Sequence, residues 1–309
     1  MALVNTKVTE MIKRTLYFGN PCYLRKKQDQ LVVSFPDEGL ESKSVPIEDI
    51  GIVILDNPQI TITQGLLAAV SENNAVIINC DARHLPFALM LPMASHSAYT
   101  EKLRYQLESS VPLRKNLWQQ TVSAKIKNQA ALLQSCGMET ENMLYWARQV
   151  KSGDPENMEA RAAAFYWSKY LEGFKRHRFG EPPNNLLNYG YAILRAVVAR
   201  SLVASGMLPA LGIHHRNKYN PYCLADDIME PFRPWVDKLV MEICEEHEDI
   251  EELTPDLKRA LLSIPVLDIF IDNQKSPLMV GVQRTTASLM QCFEGTIRKI
   301  VFPEFEITT

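Results

Sequence analysis

The sequence predicts an α+β protein: a small, mostly β N-terminal domain over residues 1–94, followed by a larger all-helical domain over residues 95–309 that carries the candidate catalytic side chains. Three observations support this. Up to about Pro92 the apolar residues come in runs of four to seven, rich in β-branched and aromatic side chains and divided by turn residues. Beyond Ser95 the texture changes to long helical periodicity, with glycine sparse inside the elements. Within that helical stretch a single polar island, GIHHRNKYNPYCLADDIMEPFRPWVD at residues 212–237, interrupts otherwise apolar surroundings.

The runs TLYFG, CYLRK, QLVVSF, SVPI, IGIVIL, AVIIN and PFALML read as strands, with Gly19-Asn20-Pro21 and Pro36-Asp37-Glu38-Gly39 as turns between them. One helix, over residues 63–72 with Thr61 or Thr63 as its cap, breaks the series. A small sandwich or curled sheet is expected. Residues 1–10 carry no pattern and read as an extension, or as lying upstream of a native start at Met11. Helices are then expected over about 98–109, 112–136, 140–150, 155–174, 185–205, 224–246, 254–263 and 285–300. The segment from Asn184 is apolar on nearly every side after its first turn, which predicts a central, buried helix capped by Asn184 or Asn185.

At 309 residues, with 46% hydrophobic and 22% charged side chains, the chain can bury a sizeable core, and global disorder is excluded. The most apolar region, 186–208, is interrupted by Asn188, Arg195 and Arg200, so no membrane span is expected, and the first residues lack the apolar core of a secretory signal. A cytoplasmic protein follows. The six cysteines have no short paired spacing and suggest neither a zinc knuckle nor a disulfide framework. Net charge is -3, but residues 242–256 hold eight acids and no Lys or Arg, so the remainder is net basic and compatible with a polyanionic partner. The acidic block itself reads as a helix end and solvated turn.

Candidate chemistry lies on two stretches. Asp154-Pro155 can open a helix, Asp154 as cap and Pro155 as its first residue, on which Glu159 shares a face with Ala162, Ala163 and Tyr166. A carboxylate on such a face is partly desolvated and needs a cation or donor, although helix-dipole stabilisation alone would also account for it. In the island, Asp227 and Glu230 stand i, i+3 on one helical face, and His215 precedes them in a loop long enough to fold back. Asp226 reads as a cap or solvent-facing acid, and Pro231 and Pro234 predict a kink beside Glu230. One imidazole with carboxylates from separate elements suits Mg²⁺ or Mn²⁺ acting on a phosphodiester. Lys169, Lys175, Arg176 and Arg178 follow the Glu159 helix, and Arg216, Lys218 and Arg233 surround the island; they are candidate contacts for a phosphodiester backbone such as that of DNA, or equally a solvated charged face paired with Glu172 and Glu181. Asn188 and Tyr189 are candidate support at the start of the apolar helix, where Tyr191 also points.

The strings NNLLNYGYAILRA from Asn184, LGIHHRNKYN from Leu211 and LADDIMEPFRP from Leu224 closely resemble the CRISPR-associated adaptation integrase, the first universal spacer-acquisition protein. The branch resembled is that of single-protein-effector (type II) systems, and the resemblance covers the chain from about Met11. It implies a metal-dependent DNA integrase and endonuclease that inserts short foreign DNA into a CRISPR array. The implied metal and catalytic triad falls on Glu159, His215 and Glu230, with Asp227 as its neighbour and His214 as a possible substitute ligand. It also implies a homodimer formed through the β domain, two of which flank a dimer of a small ferredoxin-like second adaptation protein, with the effector nuclease as a further partner. The reaction implied is direct attack of a prespacer 3′-OH on a repeat-end phosphodiester. Alternative readings of the same residues are a non-catalytic DNA-binding scaffold and a hydrolase of small phosphoesters.

Overall fold

The computed structural model of the chain describes residues 13–37, 39–93, 96–177 and 179–306. The extension expected at residues 1–10, the start at Met11, the 94/95 boundary and Arg178 lie outside the described residues.

Among the described residues, eight strands and one helix make up the N-terminal region: β1 (Arg14–Phe18), β2 (Tyr23–Lys27), β3 (Gln30–Ser34), β4 (Lys43–Pro46), β5 (Ile50–Leu55), β6 (Thr61–Ile62), α1 (Gln64–Glu72), β7 (Val76–Cys80) and β8 (Pro86–Met90). They form two four-stranded sheets, β1-β5-β7-β8 and β4-β3-β2-β6. In the first, β5 pairs in parallel with both β1 and β7, while β8 closes the edge antiparallel. The period-2 alternation of a strand explains why IGIVIL and AVIIN are apolar without a break. Ile52, Ile54, Val76 and Ile78 face the large helical core, whereas Val53 and Ile77 face a smaller core shared with Leu24, Leu31 and α1 residues Leu66 and Val70. This sheet is therefore a wall between two cores. The predicted strands are all present; the two-residue β6 was not predicted.

The helical region comprises α2 (Tyr99–Leu107), α3 (Val111–Ser135), α4 (Glu141–Gln149), α5 (Met158–Tyr170), α6 (Asn184–Ala204), α7 (Cys223–Met229), α8 (Arg233–Glu246), α9 (Pro255–Leu261) and α10 (Leu278–Glu294). As its composition requires, α6 is buried along nearly its whole length. The expected helix over 224–246 is broken at a 3-10 turn, Glu230–Phe232, where Pro231 and Pro234 remove amide donors. Two differences from the periodicity stand out. A hairpin, β9 (Asp268–Ile271) and β10 (Gln274–Pro277), lies within the helical region, its two-residue turn formed by Asp272 and Asn273, both with positive φ. The last helix begins seven residues and ends six residues earlier than expected, its end set by Gly295, which adopts the left-handed conformation (φ 78°).

The two regions are tied by buried polar contacts. Asp56, which follows β5 and is 3% exposed, accepts from Tyr17 Oη at 2.6 Å and from Lys258 Nζ of α9 at 2.7 Å, and His84 Nδ1 lies 2.8 Å from its other oxygen. Burial alone would raise the Asp56 carboxyl; these three partners hold it below the ordinary carboxylate range. Arg200 of α6, likewise buried, donates to the carbonyl of Asn74. The acidic block emerges from the end of α8 into an exposed loop, as expected. Among the described residues no helix is long and apolar enough to cross a membrane.

Candidate active site

Glu159 is delivered by the first turn of α5. Asp154, itself left-handed (φ 51°), accepts the amides of Met158 at 2.9 Å and Glu159 at 3.0 Å. Its carboxylate therefore satisfies two orphan donors of α5, but from three residues before the N-cap, which is Asn157 and not the expected Asp154. Pro155, however, precedes the helix, because the chain makes a further left-handed step at Asn157 before α5 begins at Met158. Glu230 comes from the 3-10 turn between α7 and α8 and is 3% exposed.

The two acids meet on Lys125 of α3. Its Nζ lies 2.7 Å from Glu159 Oε1 and 2.6 Å from Glu230 Oε2. The second approach is a charge contact without hydrogen-bond alignment, so among the described residues Glu230 Oε2 is a buried acceptor with no aligned donor. Glu230 Oε1 takes Arg233 Nη2 at 2.8 Å. Burial by itself would raise the Glu230 carboxyl, but the Arg233 and Lys125 charges outweigh it and hold it low. The reverse holds for Lys125: burial pulls its pKa down, while Glu230 and Glu159 carry it above the ordinary lysine value. The ion cluster is thus charged on both sides.

His215 is set by Asp227, which is fully buried on α7. The Asp227 carboxylate accepts the backbone amides of His214 at 3.0 Å and His215 at 3.2 Å, and its Oδ1 lies 2.5 Å from His215 Nδ1. That contact, against an opposing burial effect, raises the His215 pKa, helped by the charges of Asp227, Glu230 and Glu159. His214 instead stacks on Trp118 with ring centroids 4.1 Å apart, and burial lowers its pKa. The loop folds this tightly because of Gly212: a Cβ there would stand 2.4 Å from the carbonyl oxygen of His215. The i, i+3 spacing of Asp227 and Glu230 does not bring their carboxylates onto one partner. Asp227 orients the histidine, while Glu230 takes the cations.

Several expected roles change. Asp226 neither caps nor faces solvent freely; it pairs with Arg195 Nε at 2.6 Å and accepts from Asn220. Neither Asn184 nor Asn185 is the N-cap of α6, whose cap position is Pro183; Asn184 binds the carbonyls of Lys175 and Glu181, and Asn185 those of Ile250 and Glu251. Arg233 is a partner of Glu230 and stacks over Tyr191 at 4.8 Å, so it is not a free DNA contact. Arg176 is likewise engaged, donating to Asn184 and Asn188 at 2.8 Å each. Asn188 Oδ1 is thus bound to Arg176. Tyr189 points elsewhere: its buried hydroxyl, which has no hydrogen-bond partner among the described residues, lies under the influence of Cys80, Asp56 and Tyr17. Lys175, Arg216 and Lys218 are exposed, and so is Lys169, which lines a separate depression with Met138 and Phe165. Beside His215 opens a cleft of about 700 Å³ lined by Arg114, Arg216, Lys218, Tyr219 and Cys223 among others. Tyr219 is 81% exposed there.

The sequence reading missed Lys125 and the support beneath Arg233. Lys125 follows Thr121 and Val122 at i+4 and i+3 and precedes Gln129 at i+4, all buried. That phase places it on the inner stripe of α3, a signal available in the sequence. Beneath Arg233, Asp237 of α8 accepts from Tyr166 Oη at 2.7 Å and Tyr191 Oη at 2.5 Å, and its carbonyl accepts from Tyr170. Burial raises the Asp237 carboxyl to about 6, against the pull of both tyrosines, Arg233 and Arg176. Because the folded value exceeds the unfolded one, this group's contribution is fully present below about pH 4 and is lost as pH rises through about 6. Asp237→Asn is expected to remove that dependence. Relative to the parent chain it gains on the order of 3 kcal/mol between pH 4 and pH 7 in paired denaturant titrations.

Residues 16–272 match the family model described as CRISPR associated protein Cas1, and the chain belongs to that family. It is 38% identical over 281 residues to a CRISPR-associated endonuclease Cas1 of Neisseria meningitidis serogroup C (strain 8013), covering 90% of this chain and 91% of that one. The fold is also that of two solved structures. One, a casposase bound to integration product, has a TM-score of 0.80 at 19% identity and covers 97% of this chain and 96% of that one. The other, a Cas6-RT-Cas1–Cas2 complex, has a TM-score of 0.73 at 18% identity, covering 94% of this chain and 36% of that one. The family resemblance read from the motifs is borne out.

Proposed function

We propose that the chain is a divalent-metal-dependent DNA integrase and endonuclease of CRISPR adaptation, joining the 3′-OH ends of a prespacer to the CRISPR repeat by transesterification. The observation that carries this reading is the convergence of Glu159 and Glu230 on one buried cation, beside a histidine whose ring is fixed by a carboxylate. Kinship with a named CRISPR-associated endonuclease supports DNA as the substrate.

The residues fit a hard divalent ion. Glu230 Oε2 is a buried acceptor with no aligned donor, and two carboxylates with one imidazole make the oxygen-rich set that Mg²⁺ or Mn²⁺ takes. Among the described residues no three of His, Cys, Asp and Glu stand close enough to hold an ion as they are, and Lys125 lies between Glu159 and Glu230. Glu159, Glu230 and His215 through Nε2 would hold the ion. When bound, it would supply charge stabilisation at the phosphoryl centre and activate an oxygen nucleophile.

The chain's own side chains supply the remaining functions. Asp227 fixes the His215 tautomer and ring angle, as carboxylates behind metal-binding histidines do. Arg233 and the tyrosines beneath it hold Glu230. In the adjoining cleft Arg114, Arg216 and Lys218 neutralise backbone phosphates, and the exposed Tyr219 ring offers a stacking face for a base. The attacking group is the prespacer 3′-OH, so the reading needs no covalent protein intermediate.

We read the assembly as a homodimer through the β-rich region, two such dimers flanking a dimer of the small ferredoxin-like second adaptation protein. The effector nuclease is a further partner and the cytoplasm the site of action. The solved complex that combines Cas1 with Cas2 supports the second partner. The test is a half-site joining assay with the small partner, a prespacer and a repeat duplex. A branched product that depends on Mg²⁺ or Mn²⁺ is expected; salt-sensitive binding without any metal-dependent product would favour the non-catalytic scaffold.

A further inference from the structure

Lys125 stands where the two acids meet, and its placement is more specific than neutralisation requires. It comes from α3, an element separate from those carrying Glu159 and Glu230, and its side chain is 8% exposed. Glu230 already has a full counter-charge in Arg233 on its other oxygen. Lys125 therefore serves the pair of acids jointly: with Arg233 it balances two carboxylates with two cations. Without it, a buried and a half-buried carboxylate facing one point would repel each other and draw apart.

A divalent ion in that position needs the same oxygens. Mg²⁺ binds carboxylate oxygen at about 2.0–2.1 Å, and an ammonium 2.6 and 2.7 Å from those oxygens leaves no room for both. Lys125 holds Glu159 Oε1 by a hydrogen bond at 2.7 Å and Glu230 Oε2 by charge at 2.6 Å, and its flexible four-carbon stem lets the ammonium withdraw without moving α3.

We propose that Lys125 is a resident counter-cation of the Glu159–Glu230 pair, keeping the carboxylates assembled until a divalent ion displaces it and lowering the site's affinity for that ion. The inference rests on the metal reading given above. It makes Lys125 a positioning residue and a determinant of ion affinity, rather than a ligand.

The test is Mn²⁺ binding to the full chain without DNA, by titration calorimetry. Lys125→Met keeps stem length and removes charge. It is expected to bind Mn²⁺ about tenfold more tightly than the parent chain or better, and to lose thermal stability in chelator that Mn²⁺ restores. Equal or weaker binding overturns the proposal. The parent chain supplies a second readout that does not depend on the variant's folding: acetylation of lysines, followed by mass spectrometry. Lys125 is expected to be protected without metal and modified once Mn²⁺ saturates; protection that Mn²⁺ leaves unchanged overturns the displacement. Glu230→Gln separates the metal site from the role of the lysine. If the parent binds Mn²⁺ and Glu230→Gln does not, while Lys125→Met matches the parent, only the role of Lys125 falls. If the parent binds no Mn²⁺, the metal reading falls and takes this inference with it.

Discussion

Glu159→Gln and Glu230→Gln each lower strand joining by at least about 10³-fold in the half-site assay, while prespacer binding changes by less than about threefold. Both substitutions keep the shape of the side chain and remove only its charge. Glu230 is buried and Glu159 half-buried around Lys125, whereas Arg114, Arg216 and Lys218 line the open cleft. Under the proposed function chemistry and binding fall to different side chains, and the two assays separate them. His215→Ala follows the same pattern, because its ring is held by Asp227 inside the acid cluster rather than directed along the cleft. Far-UV circular dichroism checks that Lys125 and Arg233, each losing a partner in Glu230→Gln, have not disturbed the fold. Near-normal joining by both variants would remove Glu159 and Glu230 from the site.

Lys258→Met destabilises the chain by about 3–5 kcal/mol, read from denaturant midpoints. The methionine fills the same space, so the loss is electrostatic. Asp56 is left buried with Tyr17 and His84 as its remaining partners and no permanent cation. With Lys258 present, the folded Asp56 carboxyl is lower than in the unfolded chain. Its contribution is thus present above the unfolded value and is lost as pH falls through the folded one. The double variant Lys258→Met with Asp56→Asn recovers most of the loss, since an amide still accepts from Tyr17 and carries no charge to strand. Failure to recover would mean that Lys258 acts through packing.

Much of this was legible in the sequence, for identifiable reasons. The strands of the N-terminal region announce themselves through β-branched runs and turn residues, and the doubly apolar β5 and β7 follow from a sheet buried on both faces. The kink at Glu230 follows from two prolines. The hairpin β9–β10 escaped because its strands have only four residues each and β10, QKSP, carries no large apolar residue to pair with Ile269, Phe270 and Ile271; only Asp272-Asn273 marked its turn. Tyr189 and Tyr191 could not be ranked on α6, where burial on every side erases the phase that would say which hydroxyl meets the site. Asp227 and Glu230 share a helical face by spacing, yet the 3-10 turn rotates Glu230 toward α3 and α5. Lys125 was overlooked because a lysine in a helix is ordinarily solvated; its register with Thr121 and Gln129 was the contrary sign.

The proposed metal centre requires that the two acids and the histidine share one ion. Anomalous difference density from Mn²⁺-soaked crystals of the chain is the direct measurement. A single peak bounded by the carboxylates of Glu159 and Glu230 and by His215 Nε2, with the Lys125 ammonium withdrawn, is the expected result. A peak elsewhere, or none with Lys125 still seated between the acids, would contradict it.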